Sequence, residues 1–502
     1  MHAPHRIDSI NLLEEALVDP SLDEQVDMVI SNPEPNRYRA TTPAGRMEFM
    51  RSNEAGRPEY TVVSVEGIDP LRSGATDHLV GLEAELEGIW PDRDANAYPH
   101  ALDQIAQFFD GAHAPELVAQ HTARHRFDEN LGQHGSLGIV QARAPFIAAG
   151  AGVEALGSIS RSARMIDVAP SILHLLGGAP HPAGVGPMAE ARPGALLRRQ
   201  DGDPITDLFE FGRSRHVVVL LLDGCNMNVM YDAITGGGAP AIASLAGRGT
   251  TLGHGVLASL PTATLANHTA AGTGAHPGHS GVLHHTWWNR HDDTTPNLLS
   301  LSEMFDCMTH LDPSVETIHQ AVHRNWPDAF TAAMFEFCDT GADFSSFAEI
   351  RNNTSEPLLD ASSLPAVDHN WIEQSAAYGF MSGIDELATR QALRMWDPSQ
   401  GTPLPTFTWL SLSLTDEAGH EAGPHAPMTR SAIADSDRRV GRLIEAVERA
   451  GATEDTTFLL FADHGMELSD GAAINTWTEA LDATPVPTCD VSSGFIYLDH
   501  RT

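Results

Sequence analysis

Acidic and imidazole side chains follow three apolar segments of this chain, and they are the types that bind divalent metals. Asp223 ends the segment HVVVLLLDG, Asp416 and His420 lie in TDEAGH, and Asp463 and His464 lie in FADHG. Carboxylates combined with imidazoles suit zinc or manganese. A spacing of four residues directs the side chains of TDEAGH to one side of a helical turn. Each motif alone is also typical of a turn or helix cap, but together they indicate a metal site.

A candidate nucleophile is the hydroxyl of Thr264, in the stretch LPTATLANHTAAGTG over residues 260–274. The small, apolar surroundings predict a tight strand-to-helix turn, which would expose a hydroxyl in front of helix N–H groups. Threonine is a weak nucleophile at neutral pH and needs a base or a metal beside it. The simpler interpretation of this stretch alone is a threonine-rich helix cap.

The elements that must position these residues are three apolar strands. Residues 216–222 (HVVVLLL) are a continuous apolar run, as expected for a strand buried on both faces. Residues 406–414 and 457–461, rich in apolar side chains, are predicted as two further buried strands. A helix with one apolar face is predicted around 440–447, between the last two strands. Strands alternating with helices predict an α/β fold with a doubly wound, mostly parallel sheet. The functional residues of such a sheet lie beyond the carboxyl ends of its strands.

The composition argues against several functional classes. The chain has 502 residues, 42% of them hydrophobic, and a formal net charge of −37. Such a negative charge argues against binding a nucleic-acid duplex and against docking on anionic membranes. Four widely spaced cysteines form no CxxC pair and are predicted to be buried thiols. With no signal peptide or transmembrane segment recognised, we expect a cytoplasmic protein.

The combined motifs resemble the alkaline phosphatase superfamily, most closely its nucleotide pyrophosphatase/phosphodiesterase branch. The matching pieces are VVLLLDG, PTATLANH, TDEAGH and FADHGM, within roughly residues 215–500. The resemblance implies an alkaline-phosphatase-like α/β/α sandwich with a mostly parallel central sheet and a cap insertion at about 287–405. It also implies hydrolysis of small-molecule phosphoesters or phosphoanhydrides through a covalent phosphothreonine. The absence of a CxPxR-type segment disfavours a sulfatase.

The resemblance further implies two divalent cations, zinc or alternatively manganese. The first would be held by Asp223, Asp463, His464 and the Thr264 oxygen. The second would be held by Asp416, His420 and a third histidine that the family places downstream of its DHG motif. In this chain the only histidine downstream of that motif is His500, two residues from the end.

The third histidine is instead predicted near the front, at His134. Residues 132–153 (GQHGSLGIVQARAPFIAAGAGV) resemble the family's late HG segment, and the following MIDVAPSILHLLGGAPHPAGVG resembles its closing helix and tail. We therefore predict a circular permutation. A fold tolerates this rearrangement when its original termini are exposed and close together. Residues 1–180 would be the usual C-terminal part, 181–214 a linker, and 215–502 the main catalytic part, together one domain. The alternative is a separate N-terminal domain in which this histidine lies in a loop.

One position departs from the family pattern. Where the family has an asparagine that donates to a phosphoryl oxygen, the run GVLHHTWWNR places His284 and His285. His285 could donate in its place, or it could cap or pack a local segment. Asn267 and the backbone N–H of Thr264 are further candidate oxyanion donors. Three alternatives therefore stay open, namely a phosphonate hydrolase, a phosphomutase and a non-catalytic metal-binding relative.

Overall fold

The fold was analysed in a computed structural model. It describes residues 3–23, 25–54, 56–78, 80–87, 96–122, 124–126, 129–300, 302–366, 369–470, 477–490 and 494–499. The helices are α1 (Ala3–Leu17), α2 (Leu82–Leu86), α3 (Ala101–Phe108), α4 (Ile139–Ala142), α5 (Val168–Leu176), α6 (Met227–Thr235), α7 (Pro240–Gly247), α8 (Thr264–Thr273), α9 (Pro277–Ser280), α10 (Ile318–Asn325), α11 (Ser346–Arg351), α12 (His369–Gln374), α13 (Ala376–Met395), α14 (Leu414–Ala422), α15 (Pro427–Arg449) and α16 (Thr478–Asp482). The strands are β1 (Val26–Glu34), β2 (Arg37–Thr42), β3 (Gly45–Glu54), β4 (Arg57–Gly67), β5 (Leu117–His121), β6 (Gly132–Gln133), β7 (Arg143–Ala144), β8 (Phe146–Gly150), β9 (Gly157–Ile159), β10 (Ala163–Arg164), β11 (His216–Leu222), β12 (Gly249–Leu252), β13 (Val256–Leu257), β14 (Thr331–Met334), β15 (Phe344–Ser345), β16 (Phe407–Leu412), β17 (Thr456–Phe461), β18 (Glu467–Leu468), β19 (Thr488–Asp490) and β20 (Phe495–Leu498).

The core is an eight-stranded sheet in the order β15-β14-β16-β11-β17-β8-β12-β9. The three predicted strands are its centre, because β11 pairs in parallel with β16 on one side and β17 on the other. Val219 lies opposite Trp409 and Leu459, and all three side chains are fully buried. The predicted mostly parallel α/β fold is therefore confirmed, with the carboxyl ends of these strands at one edge.

A strand from the front of the chain joins this same sheet. Strand β8 pairs antiparallel with β17, so that Ala148 lies opposite Leu459, and its other side pairs with β12. Helix α5, which follows it in the chain, packs against β11 and α8. Residues 146–176 therefore share one hydrophobic core with the segments that carry the candidate site.

A second sheet brings the two ends of the described chain together. Its order is β19-β20-β5-β1-β2-β3-β4, with antiparallel pairing throughout. Strands β2 and β3 form a hairpin. Strand β20 lies in the same sheet but pairs with β5, because β2 already has β1 and β3 as neighbours.

The predicted linker and the predicted cap insertion both contribute residues to the core or to the central sheet. Residues 181–214, predicted as a linker, contain no helix or strand, and Leu197, Ile205 and Phe209 of this segment are buried in the core. The predicted cap at 287–405 includes β14, which pairs in parallel with β16 in the central sheet. Its sequence, TAAM, is too short and too poor in large side chains to be recognised as a buried strand.

Cys225, Cys307 and Cys338 are buried thiols, and Cys489 is partly exposed. The prediction of buried thiols is therefore confirmed for three of them. Among the helices that the structure describes, none is long and apolar enough to cross a membrane.

Candidate functional site

The candidate ligands meet where the central strands end. Asp223 directly follows β11, and Asp463 and His464 follow β17. Asp416 and His420 lie on α14, which begins two residues after β16, and their side chains approach to 3.5 Å. Because parallel strands present their carboxyl ends at one edge, three distant motifs form a single cluster.

Thr264 lies at the start of α8, inside this cluster. It is the first residue of the helix, it is 8% exposed, and its hydroxyl lies 3.3 Å from Nε2 of His464. The first N–H groups of a helix have no partner within it, so they favour negative charge in front of them. The predicted placement of a hydroxyl before a helix N-terminus is thus present.

His134, from the front of the chain, reaches the same cluster. Its Nε2 lies 3.1 Å from Nε2 of His420 and 4.0 Å from Oδ1 of Asp416. Its ring stacks on that of His464, with centroids 3.8 Å apart. The structure therefore brings together every residue that the resemblance assigned to the two cations. The rival donor, His500, lies outside the described residues.

Three imidazoles of the cluster share one hydrogen-bond pattern. Nδ1 of His134, His420 and His464 lies 2.8–2.9 Å from the backbone carbonyls of Thr262, Gly132 and Gly465, respectively. A carbonyl only accepts, so each Nδ1 carries the proton and donates it. Each Nε2 is then left with a lone pair that faces the cluster. Backbone carbonyls commonly orient metal-binding histidines in this way.

The electrostatics of the cluster also fit bound cations. Oδ1 of Asp223, Oδ1 of Asp416 and Oδ2 of Asp463 are buried and have no hydrogen-bond partner among the described residues. Burial, and then the neighbouring Asp463 and Asp416 carboxylates, raise the pKa of Asp223 well above its usual value. Convergent carboxylates and lone-pair nitrogens repel one another, and divalent cations would remove that repulsion. The residues present therefore fit metal ions.

Two glycines allow the motifs to approach one another. Gly224 has a φ of +59°, and a Cβ there would lie 2.1 Å from Oδ1 of Asp416. Gly465 also permits close packing, because a Cβ there would lie 2.1 Å from the carbonyl oxygen of Val140.

The predicted oxyanion role of Asn267 is not supported by its contacts. Its amide nitrogen lies within 3.2 Å of the carbonyls of Ser259, Pro261 and Ala263, and its oxygen accepts from the N–H of Ser259. The side chain is fully buried and holds the turn before α8. No donor is left for a substrate, so we do not retain Asn267 as an oxyanion donor.

His285 lies near the cluster as a neutral imidazole. Burial, and then the nearby His464 and His420, lower its pKa to about 4. The added positive charge that a protonated histidine would supply is therefore absent at neutral pH. A neutral tautomer still carries one N–H that can donate to a phosphoryl oxygen.

The sequence interpretation missed two residues, His268 and Glu336. His268 lies one helical turn after Thr264 on α8, and Nε2 lies 4.0 Å from Asp223 and 3.8 Å from Asp463. Its Nδ1 lies 2.7 Å from Oε2 of Glu336. The i,i+4 spacing from Thr264 was a usable signal for His268. Nothing in the sequence marks Glu336, which follows the unrecognised strand β14.

This fold and cluster agree with the resemblance to the alkaline phosphatase superfamily. A sequence model of the type I phosphodiesterase / nucleotide pyrophosphatase family matches residues 217–487, more than half of the chain. The chain belongs to this family.

Several solved structures are similar to parts of this chain. Murine ectonucleotide pyrophosphatase / phosphodiesterase 5, an inactive form in complex with AMP, shares 16% identity over 51% of this chain, with a TM-score of 0.32. Phosphonoacetate hydrolase from Sinorhizobium meliloti 1021, in complex with phosphonoformate, shares 19% over 50%, with a TM-score of 0.34. The human ectonucleotide pyrophosphatase / phosphodiesterase 5 shares 16% over 50%, with a TM-score of 0.33. In each case the match spans 57% of the other chain.

Proposed function

We propose that this protein hydrolyses small-molecule phosphoesters or phosphoanhydrides with two divalent cations and a covalent phosphothreonine at Thr264. The observation that carries this proposal is the position of the Thr264 hydroxyl, 3.3 Å from His464 Nε2. It lies at a helix N-terminus, beside carboxylate oxygens that have no partner among the described atoms. The matching family model supports the reaction class.

The cluster divides into two proposed sets of ligands. The first set is Asp223, Asp463, His464 and the Thr264 oxygen, and the second is Asp416, His420 and His134. Bound cations would acidify a coordinated hydroxyl and offset negative charge on phosphoryl oxygens. Zinc suits this combination of imidazoles and carboxylates, with manganese as the alternative.

The chain's own groups then have defined roles. The Thr264 hydroxyl loses its proton to solvent, and its oxygen attacks phosphorus as the bond to the leaving oxygen breaks. The leaving oxygen takes up a proton from solvent. The first N–H groups of α8 stabilise the developing charge, and neutral His285 donates one hydrogen bond. A water molecule then adds to the phosphothreonine. Its hydroxide goes to phosphorus, its proton replaces the one lost, and Thr264 is restored.

A turnover screen tests this proposal. The wild-type protein and a Thr264→Ala variant would be assayed on aryl phosphate monoesters, aryl phosphate diesters and a phosphonate, each with and without chelator. We expect metal-dependent turnover of an aryl ester by the wild type alone, and a phosphorylated Thr264 peptide by mass spectrometry. Turnover confined to the phosphonate would favour the phosphonate hydrolase. Full activity of the variant, or no turnover by the wild type, would contradict the proposal.

We also propose that the chain is circularly permuted. Three contacts support this: β8 pairs with β17, Gly465 N–H donates to Gln141 O at 2.8 Å, and His134 lies beside His420. In the proposed original order, β20 precedes α1, and both lie at the second sheet, where α1 contacts β1.

A rearranged protein tests the permutation. It would begin near residue 203, run to residue 502, and continue through a short linker into residues 1–202. We expect it to fold, bind two metals and retain turnover, because every contact of the site is kept. A fragment of residues 215–502 is the matched control, and it should fail to hold both metals. If this fragment alone folds cooperatively and binds both, the front segment is a separate domain.

A further inference from the structure

We propose that His268 is a further metal ligand of this site, paired with Asp223 and Asp463, and that Glu336 orients it. This inference rests on the proposed metal-dependent function, but it adds a ligand that the family resemblance does not supply.

The first observation is the spacing of donor atoms around His268. Its Nε2 lies 4.0 Å from Oδ2 of Asp223 and 3.8 Å from Oδ2 of Asp463, and it has no hydrogen-bond partner among the described residues. These separations are too long for hydrogen bonds. Two ligands bound about 2.1 Å from one cation lie roughly 3.4 to 4.2 Å apart, depending on the angle between them. The three donor atoms lie within 4.8 Å of one another, as do those of His134, Asp416 and His464.

The second observation is the contact that Glu336 makes with the opposite edge of the His268 imidazole. Nδ1 of His268 lies 2.7 Å from Oε2 of Glu336, which also accepts from the hydroxyl of Ser411 at 2.8 Å. The other oxygen of Glu336 accepts from the N–H of Cys338 at 2.9 Å. The carboxylate is therefore held by neighbouring donors in a buried position. It fixes the proton on Nδ1 and leaves a lone pair on Nε2, which is the arrangement of carboxylate–histidine–metal sites.

The third observation is the rigidity of the ring. His268 is fully buried on α8, one turn after Thr264 and on the same helix face. The ring of Phe337 packs against it edge to face, with centroids 5.2 Å apart and an interplanar angle of 82°. A ligand held in this way costs little further ordering when a cation binds.

The consequence concerns the nucleophile. If His268 binds beside Asp223 and Asp463, the first cation gains one more protein ligand, on the same helix as Thr264. The competing explanation is structural: a protonated His268 bridges Glu336 and the two aspartates without binding metal. The two explanations differ in metal affinity and in the coordination spectrum, so activity is not needed to separate them.

The experiment uses the full-length protein, stripped with chelator and titrated with Zn²⁺ and Co²⁺. The variants are His268→Ala, His268→Gln and Glu336→Gln, with His319→Asn as the matched control. His319 is also fully buried and without a hydrogen-bond partner in the described structure, but it packs on Phe407 at the opposite end of β16. Affinities would be measured by competition with a chromophoric chelator, and the Co²⁺ absorption spectrum would report the ligands.

We expect the two His268 variants to lose at least about 100-fold in affinity for one of two cations and to change the Co²⁺ spectrum. Glu336→Gln should lose about 10- to 100-fold, the effect typical of removing a partner that orients a ligand. His319→Asn should bind both cations like the wild type. Should His268→Ala not fold, Glu336→Gln and His268→Gln decide the question by the same readouts.

Three results would overturn the inference. Folded His268 variants that bind both cations with wild-type affinity and an unchanged Co²⁺ spectrum would establish the structural role instead. A wild-type protein that binds no divalent cation would remove this inference together with the proposed function. Normal metal binding by the His268 variants, with wild-type turnover of aryl phosphates, would remove this inference alone.

Discussion

Replacing His134 with alanine tests whether the front of the chain supplies a metal ligand. His134 Nε2 lies 3.1 Å from His420 Nε2 and 4.0 Å from Asp416 Oδ1, so these atoms can share one cation. Removing it leaves two of the three proposed protein ligands. Even a residue that only orients a ligand is worth 10- to 100-fold in affinity. We therefore expect a loss of at least about 100-fold for one cation, or about 2.7 kcal/mol.

The assay is a chelator competition that resolves the two cations, combined with turnover of an aryl phosphate. His134→Ala should lose one cation and most activity, while its thermal unfolding stays close to that of wild type when the other cation is bound. His500→Ala is the matched control, because His500 is the rival donor. Wild-type affinity in His134→Ala, or loss of the same cation in His500→Ala, would refute the assignment.

Three further predictions follow from the site and its surroundings. Thr264→Ala should lower kcat by at least about a thousandfold and leave both cations bound, measured by kinetics and metal analysis. Thr262→Ala should cost about 1–3 kcal/mol in the free energy of unfolding, measured by denaturant titration, because the hydroxyl accepts from Gly135 N–H and donates to Ser136 O. Burial raises the pKa of Glu467 to about 8, above its unfolded value of 4.5. The free energy of unfolding should therefore fall as pH rises from about 4.5 to 8, by ~1.4 kcal/mol per pH unit at most. In thermal unfolding experiments, Glu467→Gln should remove this pH dependence.

The central sheet could be predicted because its strands are long and apolar. Strands buried on both faces are rich in large apolar residues, and β11, β16 and β17 are rich in Val, Leu, Phe or Trp. Strand β14 escaped prediction because TAAM carries little apolar volume. It is recognisable only from its pairing with β16, a contact between residues more than 70 positions apart.

The residues of the candidate site likewise include some that the sequence predicts and some whose roles it does not. The motifs with Asp223, Asp416 and Asp463 could be read from spacing, because each follows a recognisable strand. The role of Asn267 could not be predicted from the sequence, because it depends on which groups form hydrogen bonds with its amide. In the structure, backbone groups occupy both the amide nitrogen and the amide oxygen. The neutral state of His285 likewise depends on burial and on neighbouring histidines that are distant in sequence.

Thr262 links residues 134–136, which we call the front loop, to the turn that carries the nucleophile. Its carbonyl accepts from Nδ1 of His134, and its hydroxyl bonds to the backbone of Gly135 and Ser136. Thr264 begins α8 two residues later. Any shift of the front loop therefore moves a proposed ligand of one cation and the turn that carries the nucleophile together. A separate N-terminal domain would need an interface to maintain this register. In a single domain, the shared core would maintain it through β8, and a proposed ligand could then lie far from the other motifs in sequence.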